Sequence, residues 1–67
     1  MKNNIKVLRE KANMSQTALA NTMGVSQQAV SKWETGASFP PAEQLPKLAD
    51  LFHCTIDALF VREQNTA

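Results

Sequence analysis

Residues 15–36 read SQTALANTMGVSQQAVSKWETG, and this run decides the fold. Ser15 is followed by Gln16, Ala18, Leu19 and Ala20, so a hydroxyl able to cap free helical amides stands directly before good helix formers. Gly24 stops that short helix, because glycine enters the left-handed conformation of a helix end without a Cβ penalty. Ser26 then caps a second helix of the pair, which puts Ala29, Val30 and Trp33 on its inner side and leaves Gln27, Gln28, Ser31 and Lys32 facing out, until Gly36 closes it.

Two short helices joined by a few residues containing glycine define a helix-turn-helix, in which the first helix lies across a DNA backbone and the second enters the major groove. Residues 16–33 satisfy that geometry. Ala20 is small where the helices must approach closely, Gly24 supplies positive φ, and Leu19, Val25, Val30 and Trp33 provide a shared core. A generic helical hairpin has no need to meet these requirements together.

Working outward, Asn3 or Asn4 is expected to cap a first helix with Ile5, Leu8 and Ala12 on one face. Asn13 suits its left-handed end. Residues 37–41 form a loop, since Pro40 and Pro41 each fix φ and remove an amide donor. Leu45, Leu48, Ala49, Leu51 and Phe52 give a fourth helix an apolar stripe, in which Pro46 is tolerable only near the start. Thr55 is expected to cap a fifth, short helix over residues 56–61, with Asp57 favoured by the N-terminal dipole. The expectation is therefore an all-α, compact five-helix domain over residues 1–61 and a short, frayed polar tail over 62–67.

A chain of 67 residues supports one core, and 43% apolar with 19% charged residues is the composition of a folded domain. Cys54 is the only cysteine, which excludes an intramolecular disulfide and a cysteine zinc site and points to a reducing cytoplasm. With no apolar run near the ~18 residues of a membrane span and no secretory pattern, nothing targets the chain elsewhere. The net charge is +1, but Lys2, Lys6, Arg9, Lys11 and Lys32 gather in the first half, whereas Glu43, Asp50, Asp57 and Glu63 outnumber the cations of the second. Such a dipole can turn its basic half toward a polyanion. Paired carboxylates, an oriented nucleophile and a glycine-rich phosphate loop are all missing, so an enzyme is not expected and no cofactor or metal is implied.

The segments IKVLREKANMSQTALANTMGVSQQAVSKWETGASFP (residues 5–40) and LPKLADLFHCTIDAL (residues 45–59) resemble the lambda-repressor-like proteins, the Cro/C1-type or XRE family, over nearly the whole chain. Departures are mild: Asn13 and His53 stand where the family often has glycine, and Pro46 is unusual inside the fourth helix. By position, the resemblance implies that the third helix is the recognition helix, with Gln27, Gln28, Ser31 and Lys32 meeting base edges. Glutamine can pair bidentately with adenine N6 and N7, and lysine can reach guanine or a phosphate. The resemblance also implies that Gln16 contacts a phosphate and buttresses Gln27. Free amides at that helix start make Gln16 and Thr17 positioning contacts that carry no sequence information. Ser38 falls in the family's backbone-contacting loop. Arg9 and Glu34 match positions that pair in relatives and read as structural, with Trp33, Val30, Ala20 and Gly24 as scaffold. Packing or turn roles are expected for His53 and Cys54.

Relatives bind as two-fold dimers, which implies a homodimer on a near-palindromic double-stranded operator, with the interface around Ile56, Phe60 and Val61. A chain this short has no room for a separate activation or sensing domain, so repression by operator occupancy is the leading expectation. The alternative is a protein-interaction module such as an antitoxin, disfavoured by the intact Gln16, Gln27, Gln28 and Lys32.

Overall fold

A computed structural model describes residues 3–60. Among them lie four α-helices: α1 (Ile5–Lys11), α2 (Gln16–Met23), α3 (Gln27–Thr35) and α4 (Leu45–Leu51). Two 3₁₀ turns, Ala42–Gln44 and Asp57–Leu59, complete the regular structure. Val61 and the tail 62–67 lie outside the described residues, as does Lys2.

The helix-turn-helix pair forms as its local chemistry dictates. Ser15 Oγ accepts the Ala18 amide at 3.0 Å and Ser26 Oγ accepts the Ala29 amide at 3.1 Å. Gly24 (φ 73°) and Gly36 (φ 84°) both take the left-handed conformation at the helix ends. The Val25 amide then reaches back to the Ala20 carbonyl at 3.0 Å, the closing bond of a Schellman turn. The same bond ends α1 from Met14 to Arg9 (3.1 Å) and α4 from Cys54 to Ala49 (2.9 Å), and there the left-handed residues are Asn13 (φ 58°) and His53 (φ 55°).

One core fills the space between the helices. Ile5, Leu19, Ala20, Met23, Val30, Trp33, Leu48 and Leu59 are buried in a single cluster, against which Leu8, Val25, Leu45, Phe52, Cys54 and Phe60 pack. Pro46 sits in the first turn of α4, after the 3₁₀ turn has already brought the chain round, where the amide it lacks would have no helical partner. Ala12 is exposed and caps α1 rather than lining its inner face, because the helix ends at Lys11.

The fifth helix is not formed among the described residues. Thr55 Oγ1 accepts the Ala58 amide at 3.2 Å, so the cap is in place, yet it starts only the 3₁₀ turn Asp57–Leu59. Phe60 is already extended (φ −115°, ψ 146°) and forms an antiparallel bridge with Asn3. The Asn4 amide donates to Leu59 O at 2.8 Å and Asn4 Nδ2 to Ala58 O at 3.1 Å. Carbonyls that a longer helix would have used are taken by the opposite end of the chain. The two asparagines divide their work accordingly: Asn3 Oδ1 accepts the Ile5 amide at 3.0 Å and Asn3 Nδ2 donates to Trp33 O at 2.7 Å, while Asn4 occupies the cap position without a side-chain cap bond.

Candidate nucleic-acid interface

Helix α3 buries Val30 and Trp33 and so must present the opposite arc outward. Gln27, Gln28 and Lys32 are exposed and Ser31 is half-buried; at 100° per residue these four share one face. Thr17, at the start of α2, is exposed, as is Ser38 in the loop after α3. The Ser38 amide donates to Lys32 O at 3.3 Å and Thr35 Oγ1 to the same carbonyl at 3.2 Å, which holds that loop against the end of α3.

Behind this face runs a continuous polar chain. Gln27 Nε2 donates to Gln16 Oε1 at 2.8 Å, and Gln16 Nε2 donates to Glu34 Oε1 at 3.0 Å. Arg9 grips the same carboxylate through Nε (2.6 Å to Oε2) and Nη2 (3.3 Å to Oε1), and its Nη1 donates to Met14 O at 2.8 Å. The Arg9 and Glu34 side chains are only 11% and 4% exposed, so each charge has lost most of its water, a loss offset by the other charge and by neutral partners. Hydrogen bonding to Glu34 is the main reason the Arg9 guanidinium is held above its ordinary pKa, with desolvation opposing. A raised base contributes its stability in full below its ordinary range and loses it only in stronger alkali, so near-neutral pH leaves the Arg9 side of the pair untouched.

The bond from Gln16 to Glu34 was not anticipated from sequence. Its signal is the seven-residue spacing of Gln27 and Glu34, which puts both on one edge of α3 about two turns apart. A glutamine buttressing the first is then within reach of the second.

Among the large apolar side chains, Phe39 is 48% and Ile56 41% exposed, and Phe60 is half-buried. The Phe39 and Phe60 rings meet edge to face with centroids 6.1 Å apart, beside an apolar cavity of about 350 Å³ lined also by Pro40, Ala42 and Leu45. His53 serves as the left-handed turn residue after α4 and Cys54 packs against the core. No helix among the described residues is long and apolar enough to cross a membrane.

Comparison with known proteins bears on what this arrangement is for. The profile of a helix-turn-helix family matches residues 5–59. The chain is 40% identical over 57 residues to the HTH-type transcriptional activator BcrR of Enterococcus faecalis and 39% identical over 58 residues to the HTH-type transcriptional regulator AnsR of Bacillus subtilis. These matches take in 85% and 87% of the chain but only 28% and 50% of the two relatives. The uncharacterized HTH-type transcriptional regulator MJ0272 of Methanocaldococcus jannaschii is 34% identical over 65 residues, spanning 97% of this chain and 98% of its own. A solved structure of a candidate DNA-binding protein from Bacteroides fragilis superposes with a TM-score of 0.80 at 30% identity, covering 90% of this chain and 97% of that one. The family is one of DNA-binding regulators and not of enzymes. With four α-helices among the described residues, two of them a serine-capped, glycine-turned pair, the chain belongs to the helix-turn-helix DNA-binding family of Cro/C1 (XRE) type.

Proposed function

We propose that residues 1–61 act as one operator-reading domain, which binds a near-palindromic DNA site as a homodimer with α3 in the major groove and represses transcription by occupying a promoter. The observation that carries this reading is the outward face of α3, where Gln27, Gln28, Ser31 and Lys32 stand together beside a Gln16 side chain already fixed by hydrogen bonds. Gln27, Gln28 and Lys32 supply base contacts, with the shorter, half-buried Ser31 between them. Gln16, Thr17 and Ser38 hold phosphates and set register.

Dimerisation is supported by the exposed Ile56 and by Phe60, whose ring meets the exposed Phe39; Val61 continues that stretch in sequence. One recognition helix makes too few contacts for an operator affinity of about 10⁻⁸ to 10⁻¹¹ M, and a second copy one helical turn along the duplex doubles them. The cytoplasm, where the DNA lies, is the place of action, and neither cofactor nor small-molecule ligand enters the reading.

Selection of bound duplexes from a random pool, at two salt concentrations, tests the proposal. A short palindrome whose affinity falls steeply with salt is the expected result; a folded protein that enriches no sequence would instead direct attention to a protein partner. A reporter carrying the selected site over its promoter gives the sign of regulation. Reduced transcription is expected, and increased transcription would align this chain with its relative named as an activator.

A further inference from the structure

The polar chain behind the recognition face has a direction. A carboxylate can only accept hydrogen bonds and a guanidinium can only donate them. Glu34 is held by two donors of Arg9, so what it offers to Gln16 is an acceptor. Gln16 must therefore turn its amide nitrogen inward, as it does at 3.0 Å, and its oxygen outward. An oxygen facing Gln27 in turn requires the Gln27 nitrogen, which donates to it at 2.8 Å. What remains free on Gln27 is its carbonyl oxygen and its second N–H, an acceptor beside a donor. That pair matches adenine, whose major-groove edge offers the N6 donor and N7 acceptor, and mismatches guanine, which offers two acceptors.

We propose that Glu34 is a positioning residue that sets, through Gln16, which way round the Gln27 amide faces DNA, so that α3 prefers adenine over guanine at the position Gln27 meets. The inference rests on Gln27 being a base contact, as put forward above. It gives the buried Arg9–Glu34 pair a role in readout as well as in folding, although Glu34 itself touches no base. Reversing the chain would engage the Gln27 carbonyl with Gln16 and turn both N–H groups toward DNA, the pattern guanine accepts.

The test combines Glu34→Gln with Gln16→Met, each read by base-by-base affinity on the selected operator. In Glu34→Gln the new side-chain amide would keep its carbonyl on Arg9 Nε, give up the longer bond from Nη2, and donate its nitrogen to Gln16, which reverses both Gln16 and Gln27. The expected result is a swing from adenine toward guanine at one symmetric pair of positions, within the roughly 5- to 150-fold that one bidentate contact discriminates. Gln16→Met leaves Arg9 and Glu34 paired and should remove the preference between the two purines. In both variants the positions met by Gln28 should keep their preferences, which a merely destabilised fold would not arrange. If Glu34→Gln fails to fold, Gln16→Met decides alone. An adenine-to-guanine ratio within about twofold of wild type in the folded variants would overturn the proposal. Side-chain amide exchange in the free protein separates this failure from failure of the DNA reading. One Gln27 amide proton should exchange slowly in wild type and fast in Gln16→Met whether or not DNA binds, and its absence would refute the relay itself.

Discussion

Helices α2 and α3 each begin on a serine whose hydroxyl accepts an amide three residues on, and each ends on a left-handed glycine. Helix α1 has only the Asn3 Oδ1 bond to its first amide, Asn4 making no cap bond, and α4 begins with no side-chain cap bond; they end through Asn13 and His53, non-glycine residues at positive φ. The first pair carries its boundaries in its own sequence. The second pair is held by distant parts of the chain: α1 by Asn3 and Asn4 reaching Trp33, Ala58 and Leu59, and α4 by the burial of Leu48 and Ala49. The locally specified pair is the one that must present side chains to DNA in a fixed register, whereas the flanking helices only have to close the core around it.

That contrast can be broken at several points. The largest effect is expected where the two regions are tied together by charge: Glu34→Ala leaves the Arg9 guanidinium buried without its partner and should destabilise the fold by about 3 to 5 kcal/mol in urea unfolding. Loss of DNA binding by that variant would accordingly not identify a DNA contact. Next, Leu59→Ala removes a fully buried side chain from the turn that replaces a fifth helix, at a cost of about 2 to 5 kcal/mol; a negligible change would mean that the C-terminal turn does not help to hold the core. Ser26→Ala, at the start of α3, should cost about 1 kcal/mol, while Asn4→Ala should loosen the clasp between the chain ends without shortening α1, a difference that amide exchange resolves residue by residue. Last, His53→Gly should stabilise by about 1 kcal/mol, because a left-handed backbone is strained for residues with a Cβ, and thermal unfolding would register a modest rise.

The same contrast explains how far the fold could be read in advance. Ser15, Gly24, Ser26 and Gly36 act within four residues of themselves, so the pair they delimit was legible, as was the left-handed end at Asn13. Thr55 is an equally clear cap, and it misled: the helix it promises is stopped by pairing of Leu59 and Phe60 with Asn4 and Asn3, a contact across nearly the whole chain that no local signal announces. Ala12 failed for a smaller reason, being at the helix end where the face turns to solvent. For the interface, the outward residues of α3 followed from which side must be buried. The bond from Gln16 to Glu34 was missed because it is a three-element meeting, and pairwise resemblance offered Gln16 with Gln27 and Arg9 with Glu34 as separate contacts.

Everything proposed for this domain depends on the exposed face of α3 reading bases. The most direct measurement is titration of wild type and Gln28→Ala against the selected operator and its single-base variants at fixed salt. Gln28→Ala is expected to lose about 1 to 3 kcal/mol of discrimination at one symmetric pair of positions and to keep wild-type preferences elsewhere. An equal loss of affinity for every sequence, with all preferences unchanged, would show that Gln28 does not read a base.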